Sequence, residues 1–352
     1  MKSVVVDKIA SVAQHSELGH ELRLSADIPC EEGVLLAVRV LNNKTRYNQL
    51  ELTSGRMATV NQGDVVVGAL GHRKALRGYS GHLPTNLEVG DLIQLLNIGG
   101  VLGICDSANP DVGAPFNCEV LGTVLHFPYL GERIGVPARA GSSQLDEGAD
   151  LDTQGVPVIA LAGTCMDSGK TAAACAIVGR LRHRGLHVAA CKATGVSLRR
   201  DILTMEDAGA SDTMIFSDLG VVTTTAENGP ALTRSLLSGL AKLEPDVIVL
   251  ELGDGLLGAY GVEAILSDEL IREAFTAVIL CANDPVSAWG GARILRDNFS
   301  IEPAVVTGPA TDNAVGVDQI TERLSIPAIN ALSNGIALGD LVADLLNNRE
   351  AA

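Results

Sequence analysis

Val158-Ile159-Ala160-Leu161-Ala162 runs into Gly163-Thr164-Cys165-Met166-Asp167-Ser168-Gly169-Lys170-Thr171, and that loop runs into Ala172-Ala173-Ala174-Cys175-Ala176-Ile177-Val178. An apolar strand, a glycine-bounded polar loop and an alanine-rich helix in this order are the context a phosphate-binding loop requires. Backbone N–H groups from Gly163 to Thr171 and the start of the helix would receive phosphate oxygens. Lys170 would reach the β- and γ-phosphates, and the Thr171 hydroxyl would meet Mg²⁺. Five residues separate Gly163 from Gly169, one more than in the common GxxxxGK[ST] form.

Downstream of this loop the chain alternates strand and helix. Apolar runs predict strands at 157–161, 187–191, 247–250, 277–280, 304–306 and 328–330. Helical patterns fall between and after them, at 170–184, 230–242, 267–273, 287–298, 318–324 and 336–347. Such alternation predicts an α/β domain over 156–352, a mostly parallel sheet covered by helices on both faces. Upstream the texture differs. Short apolar runs at 33–41, 49–52, 64–70, 91–96, 101–105 and 120–125 sit between glycine, asparagine and proline turns. They predict a β-rich domain over 1–140, a barrel or sandwich. The polar, acidic stretch 141–155 reads as a linker.

Three further segments carry candidate chemistry. Asp246-Val247-Ile248-Val249-Leu250-Glu251 is an apolar strand ending in an acid, followed by Gly253-Asp254-Gly255. This is how a Walker-B-like carboxylate is presented to a metal, which makes Glu251 a Mg²⁺ candidate and Asp254 a substrate candidate. Cys191-Lys192-Ala193-Thr194-Gly195 closes the second strand of the α/β domain, and the C-terminal ends of parallel strands are where ligands sit. In the N-terminal half, Gly71-His72-Arg73-Lys74 and Arg77 form a basic, glycine-rich segment in an otherwise acidic protein. Arg73 and Lys74 are read there as an anion site.

The loop resembles that of the dethiobiotin synthetase-like and cobyrinic acid amide synthase-like P-loop proteins, relatives of the MinD and nitrogenase iron-protein class. The resemblance covers about residues 156–345. It implies that Lys192 helps hold the reacting end of the substrate and the phosphate, with Thr194 nearby. It also implies that Glu251 binds Mg²⁺ and that an aspartate, Asp207 or Asp212, approaches the same ion. Ala193 stands where the family has proline, and Leu252 where it has the first glycine of its Glu-Gly element. The signature lysine of the MinD-type loop is replaced by Cys165, which argues for a metabolic enzyme over a switch ATPase. The segment Val305–Asn313 lacks the lysine of a guanine-reading Asn/Thr-Lys-x-Asp motif, which favours ATP over GTP.

Composition bounds the alternatives. The chain has 352 residues, 47% hydrophobic but 3% aromatic, so its core must be aliphatic and disorder is excluded as its general state. A formal charge of −16 disfavours nucleic acid and anionic lipid as partners. No apolar run approaches the roughly 20 residues of a membrane span. The N-terminal residues do not form a secretory signal. Seven cysteines without metal-type spacing predict reduced thiols and a cytoplasmic protein. The expectation is an ATP- and Mg²⁺-dependent enzyme, a C–N ligase or kinase, with Lys170 and Lys192 as catalytic residues. It would act on a small acid together with an amine or ammonia, as a homodimer. A regulatory or metallochaperone NTPase with a protein client is the alternative.

Overall fold

The computed structural model describes residues 1–129, 131 and 133–350, the last three as backbone. Two compact units emerge: Met1–Leu145 with Val196–Arg200 and Phe216–Thr223, and Asp146–Gly195 with Asp201–Ile215 and Thr224–Ala352. Two short stretches of the C-terminal half are thus counted with the first unit. The expected linker 141–155 is divided at Leu145.

Five strands form the frame of the first unit: β1 (Leu35–Val40), β2 (Val65–Leu70), β3 (Leu92–Leu95), β4 (Val101–Ala108) and β5 (Phe116–His126). β1 pairs with β2 and β5, β2 runs parallel to β4, β4 pairs with β3, and β3 pairs with β5. The hydrogen-bonding path returns to its start, so this is a barrel, and closure removes the exposed edges of its strands. β2 is buried along its whole length, which is why its Val-Val-Val-Gly-Ala-Leu sequence does not alternate with polar residues. Among the strands that were not expected are Lys2–Val5 and Glu21–Ser25. They extend the sheet outward from β5. Their charged residues gave no core signal because this edge is largely exposed.

The second unit holds six parallel strands: β6 (Val158–Gly163), β7 (Val188–Lys192), β8 (Asp212–Ile215), β9 (Val247–Glu251), β10 (Phe275–Cys281) and β11 (Val305–Thr307). Their order across the sheet is β8-β7-β9-β6-β10-β11. Helices α1 (Lys170–His183), α2 (Arg200–Asp207), α3 (Gly229–Ala241), α4 (Val262–Ser267), α5 (Glu269–Ala274), α6 (Pro285–Phe299), α7 (Ala314–Leu324) and α8 (Gly335–Glu350) flank it. α1 packs on β6, β7 and β9 and against α8. β6 and β9 are completely buried, as aliphatic runs at the centre of a covered parallel sheet should be.

Three readings need correction. β8 was missing from the expected strands; it opens at Asp212, and its Met214 and Ile215 pair with Cys191 and Lys192. The helix expected at 267–273 is α5, capped by the Asp268 side chain, and α4 before it was not expected. The terminal strand at 328–330 reduces to an isolated bridge between Val306 and Ala328. Among the described residues no helix is long and apolar enough to cross a membrane.

Candidate nucleotide site

The loop 163–169 leaves β6 at Gly163 and delivers the chain to α1. Gly169 stands before the first helical residue with φ +88°, a left-handed conformation that glycine adopts without cost. No side chain caps the first turn of α1 and no acid lies in it. Its uncapped N–H groups would receive an anion with the helix dipole in their favour. Lys170 is buried and folds back over its own loop. Its Nζ donates to the Cys165 carbonyl at 3.0 Å, to Ser168 Oγ at 3.4 Å and to the Asp254 carbonyl. A parallel sheet covered by helices and this loop between β6 and α1 together make the second unit a P-loop NTPase fold.

Register brings the other candidates to the same strand ends. Leu161 lies opposite Glu251 across β6 and β9, and Glu251 lies opposite Lys192 across β9 and β7. Glu251 is almost wholly buried and uses both oxygens. Oε2 accepts the Thr171 hydroxyl at 2.9 Å, and Oε1 lies 3.2 Å from Lys192 Nζ. Lys192 also donates to Asp201, in the first turn of α2. Burial alone would lower the Lys192 pKa. The charges of Glu251 and Asp201 outweigh it and hold the ammonium above the ordinary lysine value. Asp201 is the residue that sequence reading missed. Nothing local marks it, since its role depends on a side-chain contact nine residues back in the chain.

The geometry suits Mg²⁺. The ion binds oxygens at about 2.0–2.1 Å in an octahedron, so two neighbouring ligands sit about 2.9–3.0 Å apart. The 2.9 Å between Thr171 Oγ1 and Glu251 Oε2 matches that edge. Among the described residues no group of three or more His, Cys, Asp or Glu could hold a metal. An ion on this edge would complete its shell with phosphate oxygens and water, the usual habit of Mg²⁺.

The remaining candidates are placed as follows. Thr194 is fully buried, and its hydroxyl donates to the Gly253 carbonyl at 2.9 Å. A Cβ on Gly253 would collide with the Thr194 carbonyl, so the pair ties the loop after β9 to the end of β7. Asp254 is left-handed, with φ +69°, and burial raises its pKa against the pull of Lys170 and of the Gly255 and Ala259 N–H groups. Asp207 is exposed at the end of α2, close enough for its charge to contribute to raising the Cys175 thiol pKa to about 11, chiefly a burial effect.

Asp212 does not join the site. It pairs with His187 Nε2 at 2.7 Å and opens β8 at the N-terminal end of the sheet, opposite the strand ends that carry Lys192 and Glu251. Arg73 is equally a correction. It is buried in the first unit, its Nη1 donates to Tyr47 Oη at 2.9 Å and to the Leu96 carbonyl, and its guanidinium lies near the Tyr47 and Tyr79 rings. Those are packing contacts, where an open anion site was expected. Lys74 beside it is exposed. All seven cysteines are free thiols. Cys165 accepts a hydrogen bond from Asn283 Nδ2 at 3.0 Å, which ties the turn after β10 to the phosphate loop.

No family model and no curated protein matches the chain. Solved structures similar to it include the signal recognition particle receptor FtsY from Elizabethkingia anophelis, at 14% identity and TM-score 0.40 over 53% of this chain. That match spans 65% of FtsY, less than two thirds of its length. The hydrogenase maturation factor HypB from Archaeoglobus fulgidus is similar at 15% identity and TM-score 0.38, over 55% of this chain and 91% of its own. A DUF1611 family protein from Anabaena variabilis is similar at 14% identity and TM-score 0.42, over 59% of this chain and 62% of its own.

Proposed function

We propose that the second unit is an ATP- and Mg²⁺-dependent phosphoryl-transfer enzyme that activates a small carboxylate or carbamate for C–N bond formation. The observation behind this reading is a second buried cation. Lys170 accounts for the nucleotide phosphates, whereas Lys192 stands at the neighbouring strand end in a carboxylate clamp, with one of its three N–H donors beyond the two carboxylates it meets. A donor at this strand end would orient an anionic acceptor beside the transferring phosphoryl group. The acceptor oxygen would attack the γ-phosphorus as the bond to the β–γ bridging oxygen breaks, and ADP leaves with that electron pair. An amine would then attack the activated carbon, lose a proton and expel phosphate. Positioning and charge stabilisation by Lys170 and Lys192 supply most of the catalysis in such transfers. A divalent cation on Thr171 and Glu251 would neutralise phosphate charge.

The test is ADP formation by the full chain with ATP, Mg²⁺ and panels of small acids, with and without ammonia or amines. Turnover that requires an acid and an amine supports the ligase reading. Accumulation of a stable phosphorylated acid makes the protein a kinase. Turnover that responds only to an added protein overturns both and leaves the regulatory NTPase.

A further inference from the structure

Glu251 faces two demands at once. Its Oε2 is on the Thr171 hydroxyl, where a divalent cation fits, and its Oε1 is 3.2 Å from the Lys192 ammonium. The Glu251 side chain is 2% exposed and that of Lys192 11% exposed, so solvent does little to screen either charge. Were Glu251 the sole partner of Lys192, the two charges would cancel and the carboxylate would offer a metal little. Asp201 changes that balance. Its side chain is 17% exposed and contacts the same ammonium from α2. Asp201 and Glu251 meet the same ammonium, so Glu251 does not balance it alone and keeps charge for a divalent cation at its far oxygen.

We propose that Asp201 is a positioning residue that draws the Lys192 ammonium to one side of Glu251, so that metal and lysine occupy different oxygens of one carboxylate. Lys192 is thereby held toward the acceptor and Glu251 keeps its charge for the metal. This inference rests on the proposed phosphoryl transfer for its catalytic consequence, but its electrostatic core concerns metal binding alone.

The experiment is Mn²⁺ binding to the full chain with a non-hydrolysable ATP analogue, read by electron paramagnetic resonance, for wild type, D201N, K192M and the double variant. D201N should weaken Mn²⁺ about tenfold or more, because Lys192 then neutralises Glu251 alone. K192M should bind Mn²⁺ at least as tightly as wild type. Adding K192M to D201N should restore most of the lost affinity, since the unbalanced ammonium is gone. Thermal melts report whether each variant folds. Mn²⁺ affinity within twofold of wild type in D201N overturns the proposal, as does a double variant no better than D201N. If no acid ever supports turnover, the phosphoryl-transfer reading fails while the Mn²⁺ series still decides the role of Asp201. If turnover is found and the Mn²⁺ series is flat, the role of Asp201 fails alone.

Discussion

The barrel and the parallel sheet each hold a pair of partly or fully buried cations, and one cation of each pair, Lys44 in the barrel and Lys192 in the sheet, is satisfied in the opposite way to the other. In the barrel unit Lys44 donates to Tyr79 Oη at 2.6 Å and to the carbonyls of Val112 and Ala114. Its ammonium lies over the Tyr79 and Phe116 rings, and Arg73 sits beside Tyr47 and Tyr79. These partners are neutral. Burial lowers the Lys44 pKa, and the nearby Cys105 only partly offsets it. In the sheet unit Lys192 meets two carboxylates and is held above the ordinary lysine value despite burial. Lys44 uses its donors on carbonyls and a hydroxyl of its own unit. Lys192 sits among carboxylates at the ends of parallel strands, where perturbed groups mark functional-site candidates.

The largest effects should fall on the sheet pair. Lys170→Ala should lower nucleotide-dependent turnover by at least about 10³-fold, since it removes a charge aimed at the transferring group. Glu251→Gln should fold normally and lose Mg²⁺-dependent ADP formation, with metal-free nucleotide binding retained. Should a Lys44→Met protein of unchanged stability lose turnover as severely, the contrast between the pairs would be wrong. Lys192→Met comes next. A fall in kcat on the order of 10²-fold is expected, with the nucleotide Kd nearly constant, because in the proposed reaction the residue acts on the acceptor. Unaltered kcat would reduce it to a structural lysine.

The barrel pair should respond in stability alone. Arg73→Leu leaves the Leu96 carbonyl and the Tyr47 hydroxyl without this donor and should cost about 1–3 kcal/mol, measured by urea unfolding, with nucleotide affinity unchanged. A matching loss of nucleotide binding in the folded variant would return Arg73 to the anion site first expected of it. Asp212→Asn should be milder still. Its partner His187 is a third exposed, such pairs contribute about 0–1 kcal/mol, and turnover should not move.

The smallest expected effect is in pH dependence, and the two lysines should differ in sign. Lys192 has a raised folded pKa, so its stabilisation is complete below 10.5, the ordinary lysine value, and is lost only as pH climbs through the higher folded value. Lys44 has a lowered folded pKa, so its burial carries a cost that eases as pH rises from that value toward 10.5. Stability relative to Lys44→Met should therefore shift in favour of the native protein on the approach to pH 10.5. Stability relative to Lys192→Met should stay level over the same range. Parallel curves would remove the distinction.

Much of the second unit was legible because its signals are local. An aliphatic run, a bounded glycine loop and an alanine-rich helix dictate a strand, a phosphate loop and α1 through neighbouring residues alone, and Glu251 is marked by closing an apolar strand. The barrel was half legible. Its five strands announced themselves by apolar runs, but closure depends on β3 meeting both β4 and β5, and no run of residues encodes that pairing. Asp201, Asp212 and Arg73 were decided only by the tertiary structure. A charged side chain reads the same in sequence whether it clamps a lysine, pairs with a histidine or lies against tyrosine rings. What separates these fates is which partner the folded chain brings within about 3 Å, since the strength of a charge interaction is set by distance and burial.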